Sequence, residues 1–254
     1  MKPYYLIFLL ILFSGSLFAD TPDPLFIQAN KAYISKNYEE AFQAYETLIK
    51  KGEAGAFVYG NAANSAYYLD RMGLALLYSK KALMRAPRDA DLRANHYFIL
   101  QHTHATNNTS LNIESVIEKT FFWSSYLTGH ELWLVTLSAY FLLCLFVILF
   151  LVFRKNILKK GFFFSFILFL LCLSGLLTNL LFLYNPQDHY IVEKQVPVYP
   201  SFVSSEPSDV LADGTKVRVK VKHGMGEGDQ WLFIHYGNGK KGWLRSVQAL
   251  PINL

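Results

Sequence analysis

The sequence predicts a multi-domain membrane protein: all-α helical repeats come first, two transmembrane helices follow, and a small all-β domain ends the chain. Three observations lead to this fold class. Small and aromatic residues recur with a period of 34 near the N-terminus, two long apolar blocks occupy the centre, and basic residues alternate with valine near the C-terminus. These patterns are typical of helical repeats, membrane spans and half-exposed strands, respectively.

Changes in composition along the chain give the segment boundaries. The first predicted segments are a signal peptide at 1–19 and a repeat domain at 20–106, which consists of units at about 22–55 and 56–89 and a capping helix at 89–104. A linker or interfacial segment follows at 107–129. The remaining segments are a first transmembrane helix at 130–153, a basic loop at 154–161, a second transmembrane helix at 162–184 and an all-β domain at 189–254. Each boundary lies where an apolar run, a charge run or a periodicity changes.

The N-terminus has the layout of a secretory signal. Lys2 precedes an apolar run from Tyr4 to Phe13, and small residues lead to a cleavage position after Ala19. A signal that is not cleaved would remain as an anchor and would leave the downstream topology unchanged.

The first soluble segment contains an internal repeat. Five residues recur at one offset of 34: Ala29, Asn30, Ala32, Tyr33 and Ala41 correspond to Ala63, Asn64, Ala66, Tyr67 and Ala75. The pattern resembles the tetratricopeptide (TPR) repeat, in which small residues let two antiparallel helices approach and aromatic residues fill the gaps. Because repeat units cannot bury their apolar faces alone, so short an array requires a capping helix or a partner.

The resemblance to TPR domains implies a binding groove formed by the first helix of each unit. The groove residues would be Phe26, Asn30, Tyr33 and Ile34 in the first unit and Gly60, Asn61, Asn64, Tyr67 and Tyr68 in the second. Asn30 and Asn61 match two asparagines of the TPR domains that clamp a C-terminal carboxylate. The cationic positions of that clamp hold Phe26, Asp91 and Asn95 instead, which favours contact with a partner's backbone. Simple solvation of a helix face is the alternative for any one of these residues.

Two central blocks are long enough and apolar enough to span a bilayer as helices. Residues 130–153 and 162–184 contain no lysine, arginine or aspartate, and a span needs about 20 apolar residues. The loop between them carries Arg154, Lys155, Lys159 and Lys160. By the positive-inside rule this loop is cytoplasmic, so the flanking domains lie outside the bacterial cytoplasmic membrane. Aromatic residues just before the first span suit an interfacial segment; a core helix under the repeats is the alternative.

The net charge of +5 does not indicate nucleic-acid binding, because the short loop holds four of the positive charges. Both cysteines, Cys144 and Cys172, lie inside the predicted spans. The two outer domains therefore have neither an internal disulfide nor a cysteine nucleophile.

The C-terminal segment reads as short strands. Residues 215–221 alternate basic residues with valine, and the Asn-Gly sequence between Trp231 and Trp243 predicts a hairpin. The segment from Tyr190 to Ile252 resembles bacterial SH3-like domains, in which a Gly-Trp pair, here Gly242 and Trp243, packs into the barrel. Trp231 and Tyr236 are further candidates for its core or ligand face. We interpret the lysines Lys216, Lys220 and Lys222 as a solvated strand face. The same lysines could also form a site for an anionic ligand, because the two interpretations do not exclude each other.

Other candidate chemistry is weak. His102 and His104 have no third ligand at a metal-binding spacing, and no Ser/His/Asp set or carboxylate pair is defined by spacing. We expect no metal, no cofactor and no enzymatic activity.

The order of signal, repeats, two close spans and SH3-like domain resembles the TPR proteins of bacterial Bat aerotolerance operons, the BatE family. The resemblance implies a non-enzymatic scaffold that mediates protein–protein interactions in an envelope or oxidative-stress complex. It implies membrane-bound von Willebrand factor A-domain proteins as partners. A second hypothesis is a wall-sensing receptor whose SH3-like domain binds cell-wall peptide or glycan. Nucleic acid is not an expected partner, whereas the lipid bilayer is.

Overall fold

The structure is a computed structural model, which describes residues 23–103, 120–183, 187–224, 230–237 and 239–252, without the side chains of 182 and 183. The predicted signal peptide at 1–19 lies outside the described residues. So do His104 and most of the predicted linker at 107–129.

Five helices form the first part of the described structure. Their bounds are α1 Pro24–Ile34, α2 Tyr38–Lys50, α3 Ala56–Tyr68, α4 Met72–Arg85 and α5 Ala90–His102. Two of them begin at an aspartate cap: the Asp23 carboxylate accepts the Leu25 N–H at 2.6 Å, and the Asp89 carboxylate accepts the Leu92 N–H at 2.9 Å. Such caps satisfy amides that the first helical turn leaves without an acceptor.

The helical hairpins α1–α2 and α3–α4 are similar units. Ala29 and Ala63 are buried at equivalent positions, where the absence of a larger side chain lets paired helices approach closely. The turns also correspond, because Lys36 and Asp70 both adopt left-handed backbone angles, with φ of 61° and 56°. The region is therefore repeat-like, with two hairpins followed by a closing helix.

The closing helix α5 packs on the second hairpin. Leu92 and Ile99 are buried in the shared core, and His96 Nδ1 lies 2.8 Å from Ser79 Oγ. Burial lowers the pKa of His96 to about 3, so its imidazole is neutral at physiological pH. This helix closes the apolar face that the α3–α4 hairpin would otherwise expose.

Two long apolar helices follow a short 3₁₀ helix at Phe122–Tyr126. They are α6, Gly129–Phe153, and α7, Asn156–Thr178, the latter continuing into a π-helical turn at Asn179–Leu183. Both are long and apolar enough to cross a membrane, and most of their side chains are exposed to the surroundings of the chain. Within the pair, Thr136 Oγ1 lies 3.3 Å from the Cys172 carbonyl oxygen.

The turn between these helices is shorter than the sequence predicts. Only Arg154 and Lys155 lie outside helices, and Arg154 ends α6 in a left-handed conformation with φ of 50°. Lys159 is inside α7, six residues of which precede the predicted start at 162. Lysine is a good helix former whose long side chain carries its ammonium group away from an apolar surface, so the basic residues do not interrupt the helix.

The C-terminal part is an antiparallel β region. Its strands are β1 Asp188–Ile191, β2 Gln195–Val198, β3 Asp209–Ala212, β4 Lys216–His223, β5 Trp231–Tyr236, β6 Lys240–Arg245 and β7 Ala249–Pro251. One sheet has the order β6-β5-β4-β1-β7, and β2 pairs with β3 in a second sheet. Ile191, Val196 and Ile234 are buried in one core to which both sheets contribute.

The β region packs against the repeat region. Tyr190 and Ile252 belong to the same hydrophobic core as the helices. At the start of α4 the Asp213 carboxylate lies near the backbone N–H groups of Met72 and Gly73, and it lies beside an ion pair of Lys194 with Asp70. Asp213 therefore faces the first turn of a helix of the other region, and α4 has no side-chain cap of its own.

Candidate functional site

The helices α1, α3 and α5 present one face, here called the first-helix face. Positions on this face recur at offsets of 34, so Asn30, Asn64 and Phe98 are equivalent, as are Ile34, Tyr68 and His102. The helices α2 and α4 pack behind it. The structure thus brings most of the predicted groove residues of both units onto one surface and adds α5 to it. Gly60, which was also predicted to line the groove, is instead buried against the Leu92 side chain.

Asn30 is held by hydrogen bonds inside this face. Its Oδ1 accepts the Tyr45 hydroxyl at 2.6 Å and the Asn61 side-chain N–H at 3.1 Å. Burial raises the pKa of Tyr45 to about 12, so its hydroxyl remains a donor at neutral pH. Asn30 and Asn61 were both predicted as ligand contacts, but the Asn30 oxygen is already engaged in joining α1, α2 and α3.

Stacked aromatic rings line one edge of the face. Tyr38 and Tyr68 stack with ring centroids 4.3 Å apart, and Tyr33 meets Tyr38 edge-on at 5.6 Å. Further along, Phe98 lies 5.2 Å from Tyr67. Aromatic pairs at these distances stabilise the packing between neighbouring units.

The face also exposes large apolar side chains. Ile34 is 80% exposed and Phe57 is 62% exposed. Phe98 is about half exposed, and its ring is tilted against that of His102 with the centroids 4.2 Å apart. Exposed apolar side chains that cluster on one face are typical of a binding surface, whereas isolated ones are not informative.

The face has little charge. Burial raises the pKa of Tyr33, with Tyr68 and Tyr38 adding to the effect, so the phenol is neutral at physiological pH. The positions equivalent to the cationic residues of a carboxylate clamp hold Phe26, Asp91 and Asn95. Neutral amides and aromatic rings suit the amide groups and apolar side chains of a peptide better than a free carboxylate.

Three residues of the face were not among the sequence-predicted groove residues: Ile27, Phe57 and Phe98. Phe57 and Phe98 lie at offsets of 34 from Asp91 and Asn64, so extending the period to every position would have identified them. Ile27 is equivalent to Asn61. An alignment of identical residues misses such positions because the groove of a repeat protein varies in sequence while its geometry repeats.

The residues proposed for the β region divide between its two faces. Tyr236 is buried and its hydroxyl donates to Asp209 at 3.2 Å; burial raises the pKa of Tyr236 to about 12. Gly242 is also internal, where a Cβ atom would come within 2.3 Å of Val198 Cγ1. Trp243 was expected inside the barrel, but it lies half-buried on the outer face, because alternation along β6 turns Gly242 and Leu244 inward.

Trp231 also lies on the outer face of the sheet, where its ring is 5.6 Å from that of Tyr199. Lys216 was interpreted as part of a solvated face, but its ammonium group pairs with the buried Asp188 at 2.8 Å. Lys220 and Lys222 are exposed as expected.

Within the described residues no group of three His, Cys, Asp or Glu side chains could hold a metal ion. Comparison with protein-family models, curated proteins and solved structures finds no match to this chain.

Proposed function

We propose that this protein is a non-catalytic, membrane-anchored scaffold of the TPR type, whose first-helix face binds a peptide segment of a partner protein. The observation that supports this best is the combination on one face of exposed apolar side chains, such as Ile34 and Phe57, with neutral amides such as Asn64. An extended or helical segment placed there would bury apolar side chains and would find hydrogen-bonding groups for its backbone.

The apolar helices α6 and α7 are the proposed anchor. The basic residues Arg154, Lys155, Lys159 and Lys160 lie at one end of the pair, whereas the repeats and the β region attach at the other end. Under the positive-inside rule the basic end is cytoplasmic and both larger regions are extracytoplasmic. The groove then serves a partner that is exposed on the outer side of the membrane.

The resemblance to the Bat aerotolerance family suggests the class of partner. Proteins with a von Willebrand factor A domain that are bound to the same membrane are the proposed occupants, and the C-terminal β region is proposed to be an SH3-like domain. Anchoring both partners in one membrane raises their effective concentration, so the groove needs only modest intrinsic affinity.

Site-specific photocrosslinking in intact membranes tests this function. Phe98 and Tyr97 are neighbours on α5 and are 48% and 49% exposed, but only Phe98 belongs to the first-helix face. A photoreactive phenylalanine at position 98 should yield an adduct with an A-domain membrane protein, and the same group at position 97 should not. Equal adducts from both positions, or none from position 98, would contradict the groove assignment.

A double substitution gives an independent measurement. Ile34→Ser together with Phe57→Ser removes two exposed apolar side chains for which the structure describes no ring stacking or hydrogen bond of the side chain. Because burying one such side chain is worth about 1.5–3 kcal/mol, capture of the partner should weaken by at least about tenfold. The helical circular dichroism of the full chain should not change.

A further inference from the structure

Two of the four tryptophans of the chain lie at one end of the apolar helix pair. Trp133 is exposed near the start of α6, and Trp123 packs on Gly175 near the end of α7, where a Cβ atom would lie 2.0 Å from its ring. The other two, Trp231 and Trp243, belong to the β region. Neither Trp123 nor Trp133 lies near the basic turn. Tryptophan is enriched at membrane–water interfaces, where the ring is apolar and its N–H reaches polar groups.

Chain length keeps the β region close to this end of the helices. The π-helical turn ends at Leu183 and β1 begins at Asp188. The few residues between them can cover at most about 18 Å even when fully extended. The start of β1 is therefore held near the end of the second apolar helix.

Contacts with the repeats give β1 a direction. The loop after α4 is tied to the start of α6 by an ion pair of Arg88 with Glu131, whereas Ile191 at the end of β1 contacts Gly73 at the opposite end of α4. Those two ends of α4 are about 18 Å apart. Strand β1 therefore runs from the end of the apolar helices toward the far end of the repeats.

Strand pairing then orients the rest of the sheet. Strand β4 is antiparallel to β1, with Asp188 opposite Arg218, so the residues of β4 after Arg218 extend back toward the apolar helices. Lys220 confirms this direction, because its ammonium group donates to the Gln187 side chain at 3.2 Å, just before β1. The last residue of β4, His223, lies up to about 16 Å beyond the level of Asp188.

This end of the sheet, here called the sheet tip, combines aromatic, apolar and basic side chains. The sheet tip consists of Phe202, Val221, Lys222, Trp231, Trp243 and Arg245. The last four residues of β4 are all exposed, although the same strand is half-buried before its bulge. Val221 is 51% exposed, and Phe202 stacks on His223 at 4.5 Å.

The apolar and aromatic side chains of the sheet tip, more than its positive charge, indicate which partner it binds. The cationic side chains suit phosphate groups, but the exposed apolar area and the tryptophans favour the headgroup region of a bilayer rather than an acidic protein surface.

We propose that the sheet tip docks into the headgroup region of the outer leaflet of the same membrane that the apolar helices span. The proposal rests on the membrane anchor of the proposed function but not on the groove. Docking at the bilayer in addition to packing on the repeats holds the β region at two points. The first-helix face is thereby kept at a fixed height above the membrane.

Depth-dependent quenching on the full chain in phospholipid nanodiscs tests this proposal. Cys144→Ala and Cys172→Ala provide the background, and single cysteines at Val221→Cys and Val210→Cys carry an environment-sensitive fluorophore. The two valines are matched, since they are 51% and 55% exposed strand residues of the same region. Val210 lines a cleft of about 680 Å³ with Asp70 at the far end of the repeats.

Nitroxide lipids labelled near the headgroup should quench position 221 at least about threefold more than position 210. Equal quenching at the two positions would overturn the proposal. So would shielding of position 221 from aqueous iodide without quenching by lipid, because protein or glycan would then cover the sheet tip. A third label at Leu145→Cys, in the middle of α6, separates these results from failure of the anchor: it should be quenched by nitroxides deep in the acyl chains.

Discussion

Gly73 lies so close to Ile191 that a Cβ atom on Gly73 would come within 2.1 Å of the Ile191 carbonyl oxygen. Gly73 is in the first turn of α4, and Ile191 ends the first strand of the β region. The close approach lets Tyr190 and Ile252 enter the core of the repeats. A chain with only two hairpins and a closing helix thus gains a further packing partner from its own C-terminus.

Gly73→Ala should loosen this junction. The added methyl group meets backbone atoms, which cannot rotate away, so overpacking should cost about 1–3 kcal/mol. Amide hydrogen exchange should accelerate in α4 and β1 and remain unchanged in α6. Gly55→Ala is the control, because a Cβ atom there meets nothing within 4 Å. Unchanged exchange in Gly73→Ala would show that the two regions do not pack closely in solution.

Asp213→Ala should destabilise α4 by up to about 1 kcal/mol, because a carboxylate near a helix N-terminus interacts favourably with the helix dipole. The Asp213 carboxylate belongs to a different region of the chain and lies near the N–H groups of Gly73 and Met72. Urea unfolding of the full chain in detergent, followed by helical circular dichroism, measures this cost. Asp213→Asn retains a side-chain acceptor and should lose less stability. Equal losses for the two substitutions would mean that the side-chain oxygen near these N–H groups is not the cause.

The same carboxylate gives a pH dependence. Burial raises the pKa of Asp213 above its ordinary value, although the nearby backbone N–H groups act in the opposite direction. The protonated form is thus favoured by folding, and its stabilising contribution is full below the unfolded pKa and is lost as pH rises through the folded pKa. Relative to Asp213→Asn, the native chain should therefore lose stability as pH rises from the ordinary aspartate pKa of about 3.9 through the raised pKa of the folded state. The opposite slope would contradict the partly buried position of this carboxylate.

The sequence could predict the parts of this fold that local patterns encode. The period of 34 predicted two similar hairpins, and the structure repeats even the left-handed turn residues Lys36 and Asp70. Alternation at 215–221 predicted β4, and apolar length predicted α6 and α7. Each of these signals depends on neighbours within one element, so no tertiary information is needed to read it.

The junction and parts of the site could not be predicted in this way. Gly73 reads as an ordinary helix glycine, and Asp213 reads as a turn residue, because their contact joins segments that are far apart in sequence. Trp243 was placed on the wrong face because the Gly-Trp pair does not show which member points inward. The role of Asn30 depends on Tyr45, whose hydroxyl reaches it across the hairpin.

Asn30→Ala should destabilise the repeats, in contrast to Asn64→Ala at the equivalent position of the second hairpin. Removing the Asn30 oxygen leaves the Tyr45 hydroxyl and the Asn61 amide without this acceptor, which costs about 1–3 kcal/mol for buried groups. Amide exchange in α1 should accelerate by about 5- to 150-fold if that free energy limits opening. Among the described hydrogen bonds none involves the Asn64 side chain, so Asn64→Ala should leave exchange unchanged and reduce only partner binding. Equal acceleration in both variants would remove the distinction between the two positions.

The orientation of the chain in the membrane is tested by labelling single cysteines in whole cells. In a background of Cys144→Ala and Cys172→Ala, Glu206→Cys reports on the β region and Asn156→Cys reports on the basic turn. Both residues are exposed, so accessibility depends on the side of the membrane rather than on burial. Four positive charges at the turn should hold it in the cytoplasm. A membrane-impermeant maleimide should therefore label position 206 in intact spheroplasts and position 156 only after lysis. Labelling in the reverse order would place the first-helix face and the sheet tip in the cytoplasm. Labelling of both positions before lysis would show that α6 and α7 do not span the membrane.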